Sequence, residues 1–183
     1  MMKKRWIIVA SIVFLLSFLV IFYLNFLTTP QDFLLKQGIS EDQIITESGV
    51  KRDTIFVFYE NPHKNGISVG ALNKRYLKWN WSYNGNVFVN DTDEDIYYHV
   101  TGQSIGDQDY SIIFGLINNN LIDSAKIEIT SIDGPNVILN PQVKDYTNSK
   151  FFYVIMDEPL KGASLQIKVI PNPPLPNINT END

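Results

Sequence analysis

The sequence predicts an all-β domain, an antiparallel β-sandwich or open barrel, set behind one N-terminal transmembrane helix. Three observations predict it. Residues Trp6 to Leu27 carry no charged side chain and follow directly on Lys3-Lys4-Arg5. Beyond Ile44, short β-branched and aromatic runs recur at a spacing of roughly 8–15 residues, divided by Asn-, Asp-, Gly- and Pro-rich turns. No long helical periodicity follows the apolar run.

The N-terminal element comes first. Roughly 20 apolar residues rising about 1.5 Å each cross a hydrocarbon core of about 30 Å. Ser11, Ser17 and Asn25 are the clearly polar members of the run. Trp6 and Tyr23 suit the two bilayer interfaces. The cations precede the run and the next one is Lys36, which places the N-terminus in the cytoplasm and the rest outside. A cleaved signal has a shorter apolar stretch of about 7–15 residues and a small-x-small exit. This run leaves through Asn25-Phe26-Leu27-Thr28-Thr29-Pro30, so it reads as an uncleaved signal anchor. The expected layout is a cytoplasmic basic tip at 1–5, a transmembrane anchor at 6–27, a juxtamembrane connector at 28–43, an extracytoplasmic β domain at 44–170 and a disordered Pro/Asn-rich tail at 171–183.

In the connector, Pro30 fits a first helical position, and Gln31 to Lys36 give about two turns ending at Gly38. Ser40-Glu41-Asp42-Gln43 has the form of a capping box with too short a run behind it. The connector reads as a stalk that lifts the domain off the membrane. Strands are expected at Thr54–Tyr59, Ile67–Leu72, Leu77–Tyr83, Ile96–Thr101, Tyr110–Leu116, Ala125–Ile132, Val137–Leu139, Phe151–Met156 and Leu165–Ile170. Asn84-Gly85 is a hairpin dipeptide. Asn118-Asn119-Asn120, Gly106-Asp107, Asp133-Gly134-Pro135 and Lys161-Gly162 mark further turns. Pro171 onward is too polar and Pro-rich to bury a core.

Composition narrows the function. Formal net charge is −5, and without Lys3, Lys4 and Arg5 there remain 12 basic against 20 acidic residues. That balance disfavours nucleic acid and a tight electrostatic hold on anionic head groups. Cysteine is absent, so disulfides and thiolate chemistry are excluded.

Trp79, Trp81 and Tyr83 share one strand face, because side chains alternate with period two. They form either half of a core or a stacking platform for a sugar or peptide, and they are the candidate binding residues. Asp91-Thr92-Asp93-Glu94-Asp95 offers alternate carboxylates, but Ile96 and Gly102 stand where a calcium loop needs Gly and Glu. An irregular calcium site with Asp107 or Asp109 is the alternative to a solvated acidic turn. His63 and His99 lack the close spacing of a zinc pair. No nucleophile elbow, phosphate loop or dinucleotide fingerprint is present. No catalytic residue, metal ligand or cofactor is therefore assigned.

The strand with Leu77-Lys-Trp-Asn-Trp81, then Phe114-Gly-Leu-Ile117, Ile122 to Ile127 and Phe152-Tyr-Val-Ile155, resembles small membrane-anchored extracytoplasmic proteins of Bacillus-like bacteria. The resemblance implies the location and a β-rich fold, and it carries no activity. The expectation is a non-catalytic binding or interaction module at the cell surface, its partner a cell-wall polymer, a peptide or another membrane protein. The alternatives are an accessory subunit acting through its helix, with Ser11 and Ser17 at a helix contact, or an envelope hydrolase built on His99.

Overall fold

The structure, a computed structural model, describes residues 2–26, 29–51, 53–63, 66–75, 78–88, 94–130, 136–160 and 166–172. Helix α1 spans Met2–Phe26 and α2 spans Pro30–Lys36. Among the described residues no helix is long and apolar enough to cross a membrane. The side chains described in α1 run unbroken only from Val9 to Tyr23.

Among the described residues eleven strands follow, at β1 Ile44–Lys51, β2 Thr54–Asn61, β3 Gly66–Arg75, β4 Lys78–Phe88, β5 Ile96–Ile105, β6 Gln108–Ile117, β7 Ser124–Thr130, β8 Val137–Leu139, β9 Gln142–Tyr146, β10 Ser149–Met156 and β11 Gln166–Asn172. All pairing is antiparallel. One sheet has the order β1-β2-β3-β4, a second β5-β6-β10-β9, and a third β11-β7-β8. The all-β class is therefore as the sequence predicts, but the strands form three layers rather than two.

The layering follows from which faces are apolar. Phe56, Phe58, Ile67, Val69 and Ala71 of the first sheet pack against Tyr110, Ile112, Phe114, Leu116, Phe151 and Tyr153 of the second. The opposite face of the second sheet presents Ile113, Ile117 and Phe152 to Ala125, Ile127 and Ile129 of the third. The middle sheet is thus covered on both sides. This is why Tyr110 to Ile117 is buried residue after residue, where a strand with one wet face would alternate. By contrast β7 does alternate, with Ala125, Ile127 and Ile129 buried.

Three expectations change. Asn84-Gly85 is not a turn. Both residues lie inside β4, where the register against β3 slips between Val69 and Gly70. A β-bulge there bends the strand and brings Gly85 against the Thr101 side chain of β5. The connector is not a free stalk. Thr29 caps α2 through a reciprocal pair with Asp32, and Leu34 and Ile39 are buried against Val57, Tyr59 and Leu72 on the outer face of the first sheet. Finally, β11 includes Pro171 and Asn172, which pair with Ala125 and Ser124. Asp91 to Asp93, the Asp133-Gly134-Pro135 and Lys161-Gly162 turns, and the tail from 173 lie outside the described residues.

Candidate functional site

Trp79 and Trp81 stand on the outer face of the first sheet, opposite Lys74 and Leu72 across the β3–β4 ladder. Both are half-buried and belong to the cluster with Leu34, Ile39, Val57, Tyr59 and Leu72. The Trp81 indole packs against Gly70, where a Cβ would fall 2.9 Å from its Cε2. Its ring centroid is 5.9 Å from that of Tyr59. The Lys74 ammonium sits 5.4 Å from the centre of the Trp79 ring, a cation–π distance. The Tyr83 side chain lies outside those described. The two tryptophans are therefore seated on the sheet and not between the sheets, each with an edge left to solvent.

A second feature was not visible in the sequence. On its β9 side, β10 is paired only as far as Tyr153, opposite Gln142. Among the described residues Val154, Ile155 and Met156 pair only with β6. Strand β1, the edge of the first sheet, passes this gap and among the described residues pairs only with β2. Between them opens a cleft of about 360 Å³ lined by Ser48, Gly49, Val50, Asn140, Gln142, Tyr153, Val154, Ile155 and Asp157. Asp157 of this lining is held by Gln108, which accepts from the Lys51 ammonium at 2.7 Å and donates to the Asp157 carbonyl at 2.6 Å. Away from the cleft lining, the Tyr146 hydroxyl of β9 has its pKa pushed up to about 12, first by burial and then by its hydrogen bond to Glu60 of β2 and the charge of that carboxylate. Burial and the Asp157 charge also raise Tyr110. The Tyr153 side chain is 7% exposed, and its ring packs on Phe58 and Phe151. The cleft thus joins amide, hydroxyl and carboxylate groups to an open strand edge, which suits a polar ligand held by several hydrogen bonds.

Neither histidine lines the cleft or belongs to the Trp79–Trp81 cluster. His63 is exposed in the turn after β2. His99 lies half-buried with its ring edge on Phe114 at 5.8 Å. Burial lowers its pKa below 6.5. A lowered histidine is neutral in the fold and charged when unfolded at mildly acidic pH. Its contribution is present above pH 6.5 and declines as pH falls through and below that value. Urea titrations at falling pH should show this decline, and His99→Gln should flatten it. An unchanged decline in that variant would assign it to other groups. Glu94 and Asp95 are exposed, and Asp109 accepts from the Ser104 hydroxyl at 2.6 Å. Among the described residues no cluster of three His, Asp or Glu could hold a metal ion.

No family model, no curated protein and no solved structure matches this chain. The function must be read from the geometry itself.

Proposed function

We propose that the protein is a membrane-anchored, non-catalytic binding module whose β domain faces outward, as in the extracytoplasmic proteins of Bacillus-like bacteria that it resembles. The observation that carries this reading is α1. Its uncharged part, from Trp6 to Phe26, is one continuous helical stretch, about 31 Å long, which matches a bilayer core of about 30 Å. Its large apolar side chains between Val9 and Tyr23 are 46–76% exposed and surround the helix. None of them belongs to the three core clusters. A helix apolar on every side needs a solvent other than water. The cations before it orient the chain with the N-terminus inside. The β1–β10 cleft and the Trp79–Trp81 face bring polar and aromatic groups together, a combination that suits ligand binding. The fitting ligand is an extended peptide or a cell-wall saccharide, able to engage Asn140, Gln142, Asp157 and the open β10 edge.

The absence of native cysteine makes the topology simple to test. In intact cells, a membrane-impermeant maleimide should label Lys144→Cys, and should label Lys3→Cys only after lysis. The opposite pattern, or recovery of the chain in the soluble fraction, would overturn the anchor. Binding is read separately, on the full chain in nanodiscs, with muropeptide fragments and short peptides. Amide shifts confined to 48–50 and 153–157 are expected, and shifts spread elsewhere or none at all would remove the cleft as the site.

A further inference from the structure

The negative net charge of the chain conceals an uneven distribution. Residues 61–90 contain no Asp or Glu but four cations, Lys64, Lys74, Arg75 and Lys78, while all 20 acidic residues lie elsewhere. Three of those cations gather at one end of the β3–β4 hairpin. Arg75 and Lys78 are exposed and directly opposed on the last rung, and Lys74 is opposed to Trp79 on the rung before. Lys51 and Asp53 flank this end from the neighbouring β1–β2 turn, where the Asp53 carbonyl accepts from the Lys74 N–H at 2.8 Å. In sequence this turn reads Lys51-Arg52-Asp53, so its formal charge adds to that of the hairpin end instead of cancelling it.

The second observation is where this end sits along the chain. Trp79 packs in the same cluster as Phe33, Leu34 and Ile39, which belong to the segment directly after α1. Residues 27–29 separate the two helices, a span of at most about 10 Å, and α2 adds about 10 Å. A helix anchored in a bilayer therefore holds this face of the domain close to the head groups. Trp79 half-exposed beside Lys74 combines an amphipathic ring with a cation, the pairing that suits the boundary between hydrocarbon and phosphate.

We propose that the β3–β4 hairpin end, through Lys74, Arg75, Lys78 and Trp79, docks on the anionic phosphate head groups of the bilayer that holds α1. The inference rests on the anchor reading above. It gives the domain a fixed pose on the membrane, with one end of the first sheet seated on the lipid. Each cation near an anionic surface contributes about fivefold to the docked-to-undocked ratio, so the three together contribute on the order of 100-fold.

The test uses the full chain in nanodiscs. The chain has three tryptophans, so Trp6→Phe with Trp81→Phe leaves Trp79 as the single reporter. Brominated acyl chains should quench Trp79 in phosphatidylglycerol discs and leave it bright in phosphatidylcholine discs. The quenching should vanish in Lys74→Gln/Arg75→Gln/Lys78→Gln and at high salt. Because Trp81→Phe disturbs the packing on Gly70, a nitroxide on Asn80→Cys in the otherwise unaltered chain repeats the measurement by relaxation from nickel-chelating lipid. Equal signals in both lipids, or an unaffected triple variant, would overturn docking. Displacement of the hairpin from phosphatidylglycerol by soluble polyphosphate at low concentration would also overturn it, showing a polymer site in place of a lipid one. A chain that fails to co-purify with the disc refutes the anchor, whereas one that is retained with Trp79 unquenched refutes the hairpin pose alone.

Discussion

Phe58→Ala is expected to cost about 3–5 kcal/mol, the range for emptying a fully buried aromatic position. Phe58 is wholly buried. Its ring centroid lies 4.7 Å from Tyr153, 5.3 Å from Phe151 and 5.6 Å from Phe114. It thus touches both central strands of the second sheet, β6 and β10, from the first. These rings are tilted against one another at 38–57°, so each also loses favourable aromatic geometry beyond area burial. Their strands are held in their ladders, and the gap cannot close by side-chain movement alone. Urea unfolding of the full chain in detergent should show the midpoint fall with little change in slope. A loss under about 1 kcal/mol would mean that the two sheets meet elsewhere.

Gly115→Ala is expected to be nearly as severe, at about 3 kcal/mol, the upper end for forced overpacking. Gly115 pairs with Tyr98 across β5 and β6. A Cβ at Gly115 would stand 2.7 Å from the Tyr98 Cα and closer still to the Tyr97 carbonyl oxygen. Both obstructing groups are backbone, so no rotamer change relieves the clash, and the β5–β6 ladder must separate. Hydrogen exchange should therefore rise at Tyr97 to His99 before it rises in the first sheet. If the variant keeps the parent midpoint and exchange pattern, β5 and β6 do not approach as described.

Most of the strands were legible in the sequence because each is an apolar or alternating run with a polar break on either side. Thr54 to Tyr59 and Phe151 to Met156 are of this kind. Strand β9 escaped because Gln142-Val-Lys-Asp-Tyr146 is short and polar. Its hairpin turns through Thr147, which takes a positive φ of 46°, with no glycine to announce it. Asn84-Gly85 misled for the opposite reason, since turn chemistry was absorbed as a bulge where β4 leans toward β5. The third layer was implicit in the unbroken burial of β6, but a run without polar breaks says only that both faces are covered, not by what.

The candidate site was less legible than the fold. Trp79 and Trp81 shared a face by simple alternation, yet their seat depends on Gly70, which the sequence presents as an ordinary small residue. The cleft is lined by Ser48, Asn140, Gln142 and Asp157, common surface residues from three distant segments. Their convergence follows from β9 ending opposite Tyr153 and leaving β10 bare. No local pattern encodes where a neighbouring strand stops. The cationic hairpin end was obscured by the total charge, which sums over the faces it should distinguish.

The three sheets also impose an order of assembly on a chain made from its N-terminus. The first sheet joins only consecutive strands within residues 44–88, so its ladders close over short loops and form early. The second waits for β10, which enters between β6 and β9. The third closes only when Gln166 to Asn172 arrive to pair with β7. Until that moment Ile127 and Ile129 lie on a strand with one edge open, and the nascent molecule is most vulnerable to joining a neighbour in the interval before its last strand emerges.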